Sequence, residues 1–87
     1  MAVVWIPSLM RNLTAGAEKV SVQGSTLREV IDNLDALYPG FKEQVCDEGR
    51  INPYLAVAVD GEVTTEGLRQ RVSETSEIHF LPAISGG

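Results

Sequence analysis

The sequence predicts an α+β fold in which one main helix packs across a mixed sheet of about four to five strands. Three observations predict this class. Two short strand-like segments come first, a single strongly amphipathic helix follows them, and the later strand-like segments include two joined by an Asp-Gly turn. A chain of 87 residues with ordinary globular composition makes one domain.

The first two strands are predicted from β-branched and alternating residues. Residues 3–6 are β-branched or aromatic and are followed by Pro7, which ends the strand. Residues 19–23 alternate in polarity, with Val20 and Val22 pointing inward. A small, polar stretch between the two segments makes them an antiparallel hairpin.

The helix has clear start and stop signals. Thr26 is a good N-cap, and Glu29 three residues later completes a capping box. Pro39-Gly40 ends the helix. The spacing i, i+3, i+4, i+7 predicts an apolar stripe facing the sheet, made of Leu27, Val30, Ile31, Leu34 and Leu37.

The second half is less regular until residue 54. Phe41 and Val45 are expected to anchor a turn of helix, and residues 47–50 are predicted to be an exposed loop. Residues 54–59 form a strand, and Asp60-Gly61 supplies a two-residue turn into a short return strand at residues 62–64. Residues 66–71 are expected to contain a short helical turn.

The last strand is predicted at residues 77–82, where the domain of residues 1–82 ends. Residues 83–87 then form a flexible tail that finishes in Gly86-Gly87. Glycine has no Cβ, so such a tail is thin enough to enter a narrow active site on another protein. The plainer interpretation is that chain ends are often small and frayed.

Composition excludes several function classes. A net charge of −5 argues against binding to nucleic acid or to anionic membranes. The sequence shows neither a signal peptide nor an apolar run of membrane-spanning length, so a cytoplasmic location is expected. Cys46 has no cysteine partner and is followed by two acids, which disfavours an activated thiol. The acidic pairs lack a matching His or Cys, so no metal site is predicted.

Three segments together carry a resemblance to a known family. They are residues 6–11 (Ile-Pro-Ser-Leu-Met-Arg), residues 26–31 (Thr-Leu-Arg-Glu-Val-Ile) and residues 81–87 (Leu-Pro-Ala-Ile-Ser-Gly-Gly). In this order of elements, they resemble the ThiS/MoaD sulfur carriers, which have the ubiquitin-like β-grasp fold. Within that family the chain most resembles the cysteine-biosynthesis carriers of actinobacteria, with the small subunit of molybdopterin synthase close behind.

The resemblance implies a carrier protein and not an enzyme. A ubiquitin-activating-like adenylyltransferase would use ATP to adenylate the terminal carboxylate of Gly87, and a sulfur nucleophile would displace AMP to leave a thiocarboxylate. ATP is then consumed by the partner, and no cofactor is bound by this chain. Gly86 would keep the end of the tail thin. The thread between the domain and the partner's active site would consist of Ser85, Ile84 and Ala83.

A docking face follows from alternation in the last strand. Ile78 and Phe80 share the face under the helix, which leaves the other residues of the strand on the open face. An exposed apolar patch on a small domain is often a partner site. The predicted partner-binding residues are Leu81, His79, Val63 and Pro7. A loop or the tail itself covering Leu81 is the alternative, and a shift of one residue in register would reverse every assignment.

Two other functions stay open at this level. A ubiquitin-like modifier would use the same activation and join Gly87 to lysines, and a plain interaction domain would carry the tail incidentally. The sulfur acceptor also stays open. The resemblance favours a cysteine-synthase-like enzyme over a molybdopterin synthase large subunit, and thiazole synthesis and tRNA thiolation use similar carriers.

Overall fold

A computed structural model describes residues 1–82. It contains a five-stranded mixed sheet, a separate two-stranded hairpin, two α-helices and two short 3-10 turns at Ser8–Met10 and Gly67–Arg69. The elements in chain order are β1 (Ala2–Trp5), β2 (Lys19–Val22), α1 (Leu27–Leu37), α2 (Phe41–Val45), β3 (Cys46–Asp47), β4 (Arg50–Ile51), β5 (Leu55–Val59), β6 (Glu62–Val63) and β7 (Glu77–Pro82). The predicted tail, residues 83–87, lies outside the described residues.

The five-stranded sheet has the order β2-β1-β7-β5-β6. β1 runs antiparallel to β2 and parallel to β7, and β5 runs antiparallel to both β6 and β7. The last strand of the chain is therefore the central strand of the sheet. This arrangement confirms the predicted mixed sheet with one main helix across it.

α1 covers one face of the sheet, and its start is capped as its sequence predicts. The Thr26 hydroxyl oxygen accepts a hydrogen bond from the backbone N–H of Glu29 at 3.3 Å. The Glu29 carboxylate reaches back to the residue before the cap and accepts hydrogen bonds from the Ser25 N–H and hydroxyl. These two hydrogen bonds lower the pKa of Glu29, because they stabilise the charged carboxylate.

The core lies between α1, α2 and the sheet. Four of the five predicted stripe residues of α1 are buried: Leu27, Val30, Ile31 and Leu34. The expectation for Leu37 is wrong, since this side chain is 60% exposed in the last turn of the helix. Phe41 of α2 and Phe80 of β7 meet edge to face, with ring centroids 5.8 Å apart, and so fix α2 on the same side of the sheet as α1.

Asp35 makes the connection between the two helices. Its Oδ1 accepts hydrogen bonds from the backbone N–H groups of Gly40 and Lys42, at 3.1 and 3.0 Å. Gly40 has a φ of +101°, which L-residues seldom adopt. Because Gly40 cannot cap α2 with a side chain, Asp35 caps it from the preceding helix.

Residues 47–50 differ from the predicted loop. They contain the turn of a small hairpin in which β3 and β4 pair through Cys46 with Ile51 and Asp47 with Arg50. Glu48 and Gly49 have φ values of +51° and +77°, as a tight two-residue turn requires. The hairpin stays separate from the main sheet.

Candidate functional site

The end of β7 marks the point from which residues 83–87 continue. β7 pairs with β5 as far as Pro82, which lies opposite Leu55. The described chain therefore reaches residue 82 as part of the central strand, flanked there by β5. The predicted reactive residue and thread, Gly87, Gly86, Ser85, Ile84 and Ala83, lie outside the described residues.

β7 has the predicted alternation. Ile78 and Phe80 are buried under the helices, with 0% and 5% of their surface exposed. His79 is half-buried and Leu81 is 42% exposed, and both belong to the opposite face. The predicted phase of the last strand is therefore confirmed, and Leu81 is exposed within the described chain.

One cross-strand row traverses the whole open face. Residues paired in the sheet share a face, and the pairs form an unbroken series from β2 to β6. The row consists of Lys19, Trp5, His79, Ala58 and Val63. His79 and Val63, which the sequence places in one patch, are thus separated only by the small side chain of Ala58.

Leu81 and Pro7 lie nearer the end of β7. Leu81 is opposite Ala56 of β5, one row beyond the row of His79. Pro7 follows β1 and is half-buried. Because β1 and β7 are parallel, Pro7 lies toward the same end of the sheet as Leu81. The structure therefore places His79 and Val63 in one row of the open face, and Leu81 and Pro7 toward the end of the sheet where β7 finishes.

Trp5 is a further residue of this face, and the partner-binding residues predicted from the sequence do not include it. It is half-buried on the open face and stacks on His79. The ring centroids are 5.5 Å apart and the rings are inclined by only 6°. The Trp5 indole N–H donates to Glu77 Oε1 at 3.1 Å, and Lys19 Nζ lies 5.4 Å from the ring centroid. The sequence pattern does not show that the first and last strands pair. That pairing is what places Trp5 beside His79.

The described residues offer little for side-chain chemistry. Residues 1–82 contain no group of three His, Cys, Asp or Glu side chains that could hold a metal ion. Cys46 is half-buried, and desolvation raises the pKa of its thiol despite the nearby Lys42 ammonium. A thiol with a raised pKa is a poor nucleophile at neutral pH. No helix within residues 1–82 is long and apolar enough to cross a bilayer.

The strand order, the single main helix across the sheet and the open face beside the end of β7 define a ubiquitin-like β-grasp protein. The particular family follows from comparison with known proteins. The chain belongs to the ThiS family, whose model matches residues 4–87.

The similar proteins cover nearly the whole chain. Sulfur carrier protein CysO of Mycobacterium tuberculosis is 33% identical over 89 aligned residues, which cover 97% of this chain and 96% of CysO. The crystal structure of the Amycolatopsis orientalis BexX/CysO complex contains a chain with a TM-score of 0.92 and 29% identity, with full coverage of both chains. The crystal structure of M. tuberculosis CysO gives a TM-score of 0.91 at 30% identity, and covers 97% of this chain and 100% of that one. Small archaeal modifier protein 1 of Methanosarcina acetivorans, with a TM-score of 0.80 and 23% identity, shares the fold.

Proposed function

We propose that this protein is a sulfur carrier in cysteine biosynthesis, with the terminal carboxylate of Gly87 as the group that carries sulfur. The observation behind the proposal is the full-length likeness to CysO, at 33% identity and a TM-score of 0.91. The modifier alternative is not favoured, because the modifier structures resemble this chain at 23% identity or less and so support the fold alone. The molybdopterin alternative is not favoured, because the relative at 33% identity is the sulfur carrier protein CysO.

The chemistry needs a partner because a carboxylate is a poor electrophile. Its negative charge repels nucleophiles, and resonance makes its carbon less electrophilic. One carboxylate oxygen must therefore first become part of a good leaving group. A ubiquitin-activating-like adenylyltransferase would join the Gly87 carboxylate to AMP with release of pyrophosphate. A sulfur nucleophile then attacks the carbonyl carbon and AMP departs, which leaves the thiocarboxylate. The partner supplies orientation and charge stabilisation, and this chain acts as its co-substrate.

The thiocarboxylate is then available to an accepting enzyme. Its sulfur is soft and nucleophilic, so it attacks an activated carbon of an acceptor without help from a side chain of the carrier. The related A. orientalis structure is a complex of BexX with CysO. By analogy we assign this chain a protein partner that docks on the face containing Leu81, His79, Val63 and Pro7, and we favour a cysteine-synthase-like enzyme as the sulfur acceptor.

Intact-mass spectrometry tests the carrier chemistry. The protein is incubated with a ubiquitin-activating-like adenylyltransferase, ATP and sulfide, and the expected product has one oxygen replaced by sulfur. Deletion of Gly87 should abolish that product. Cys46→Ser should leave that product unchanged, because the sulfur is carried at Gly87. The mass also separates the two sites, since a persulfide on Cys46 would add a sulfur atom, whereas the thiocarboxylate exchanges one oxygen for sulfur.

The alternatives give different products in the same reaction. Isopeptide conjugates to lysines without any thiocarboxylate would contradict the sulfur-carrier function and support a modifier. To identify the acceptor, the thiocarboxylated protein is mixed with a cysteine-synthase-like enzyme or with a molybdopterin synthase large subunit. Loss of sulfur to the first alone is expected, and loss to the second alone would contradict the assignment to cysteine biosynthesis.

A further inference from the structure

Large apolar side chains are concentrated at the end of the sheet where β7 finishes. Leu9 is 94% exposed in the 3-10 turn that follows β1. Because β1 and β7 are parallel, this turn lies at the end of the sheet where β7 finishes. Tyr54 is 75% exposed immediately before β5, whose first residue pairs with Pro82. With the exposed Leu81, these side chains make an apolar collar, defined here as Leu9, Tyr54 and Leu81.

The opposite end of the sheet is acidic. β5 ends and β7 begins there, and residues 60–68 and 72–82 include no Lys or Arg. The connection from β6 to β7 also contains Arg69 and Arg71, and Arg71 pairs with Thr26 at the start of α1. The acidic end consists of Asp60, Glu62, Glu74 and Glu77, all exposed. Asp60 holds the end together by accepting hydrogen bonds from the Ser76 hydroxyl and the Glu77 N–H.

The two ends are separated by little more than the length of β7. Glu77 and Leu81 are four residues apart on an extended strand, which is about 13 Å at the usual rise. The apolar and acidic regions therefore fit under one protein partner, since a standard interface covers about 800 Å² on each side. The half-buried Trp5–His79 pair lies between them on the same face.

The length of the remaining chain limits where that partner sits. Five residues follow Pro82, and in any conformation five residues span at most about 18 Å. A partner that receives Gly87 in its active site must therefore come close to the end of β7. The collar lies at that end of the sheet, so the surface around the partner's active-site entrance faces the collar.

We propose that the partner docks in a single orientation, with an apolar rim around its active-site entrance on the collar and a basic patch facing the acidic end. This inference rests on the proposed function, because it takes delivery of Gly87 as the purpose of docking. The basic patch lies on the order of 15 Å from the active-site entrance, as the spacing along β7 requires. Charge complementarity of this kind guides encounter and orientation, and burial of the apolar contacts slows dissociation.

Binding to purified BexX tests the orientation by surface plasmon resonance with the full-length protein. Glu74→Gln/Glu77→Gln should lower the association rate constant about threefold to tenfold at low salt and flatten its salt dependence. The Glu77→Gln side chain retains an amide oxygen that accepts the Trp5 N–H. The control Glu43→Gln/Glu48→Gln removes the same charge from α2 and the β3–β4 hairpin, and should bind as the unaltered protein does.

A second pair of variants tests the collar. Leu9→Ser and Tyr54→Ser should each weaken binding about tenfold, mainly through faster dissociation. Leu37→Ser is the matched control, because Leu37 is also exposed, at 60%, but lies at the end of α1 under the other face of the sheet. Circular dichroism of every variant should show the unaltered fold.

Four outcomes would overturn the proposal. They are no binding of the unaltered protein to BexX, equal effects of the two charge variants, equal effects of Leu37→Ser and Leu9→Ser, and a collar occupied by a second copy of the chain. If a second copy of the chain occupied the collar, analytical ultracentrifugation would show a dimer that Tyr54→Ser converts to a monomer. None of these results bears on whether Gly87 accepts sulfur in the mass assay, so a failed orientation and a failed carrier function remain distinguishable.

Discussion

Replacing Gly24 by alanine should destabilise the protein by about 3 kcal/mol or more. Gly24 connects β2 to the start of α1, with a φ of +154°. A Cβ there would lie 2.8 Å from both Cγ2 and the backbone N of Val30, and 3.2 Å from the backbone carbon of Glu29. The first turn of α1 would have to move away from β2, because backbone atoms have no alternative rotamer.

The magnitude combines two effects. A residue held in a sparsely populated backbone region costs about 1–3 kcal/mol, and an overpacked contact costs about 1–3 kcal/mol more. Gly61→Ala separates them, since Gly61 also has a positive φ, +86°, but nothing lies within 4 Å of an added Cβ. We expect Gly61→Ala to cost about 1 kcal/mol, through the backbone alone.

Urea denaturation followed by circular dichroism measures both variants, and equal m-values are needed for the comparison. Val30→Ala alone costs stability because Val30 is buried, but the double variant Gly24→Ala/Val30→Ala should lose less than the sum of the two single losses, because it removes the contact with Cγ2 but not the contact with the backbone N. If Gly24→Ala and Gly61→Ala lie within about 0.5 kcal/mol of each other, the close approach of α1 to β2 does not carry the cost.

Three further predictions concern the helix and the thiol. Leu34→Ala should cost about 2–5 kcal/mol because Leu34 is fully buried, whereas Leu37→Ala should change stability by less than about 0.5 kcal/mol; similar losses in urea denaturation would contradict the observed burial. Because the pKa of Glu29 is lowered on folding, its carboxylate stabilises the fold at pH values above 4.5, its ordinary pKa. This stabilisation is lost as the pH falls through the folded-state pKa. The melting temperature should therefore fall more steeply below that pH than in Glu29→Gln, and parallel curves would refute the linkage. Because burial raises the pKa of Cys46, iodoacetamide should alkylate it more slowly in the folded than in the urea-unfolded protein, and equal rates would contradict its burial.

The parts of the fold that can be predicted are those that depend on local signals. The cap at Thr26 and the 3.6-residue spacing of apolar side chains give the start and the buried face of α1 without knowledge of the rest. The spacing does not show where the helix runs past the sheet, so Leu37 has the right period and still points into solvent. The β3–β4 hairpin escapes prediction because strands of two residues are too short for alternation to be recognised.

The open face requires long-range information for one of its residues. His79 and Leu81 are placed correctly, because alternation within β7 needs only one buried neighbour to set the phase. Trp5 depends on which strand lies beside β1, and the parallel pairing with β7 joins residues more than 70 positions apart. A prediction from local pattern alone could not find the Trp5–His79 stack, although both residues alternate correctly within their own strands.

The central position of β7 fixes Pro82, which residues 83–87 follow, relative to the proposed docking face. An edge strand has neighbours on one side only and is free to fray or to pair with another chain. β7 has β1 on one side and β5 on the other, and two of its side chains, Ile78 and Phe80, are buried in the core. The positions of Leu81 and of the last described residue, Pro82, are thereby fixed relative to Trp5 and His79. A partner docked on the open face as proposed would therefore meet Pro82, and the residues that follow it, at a defined place.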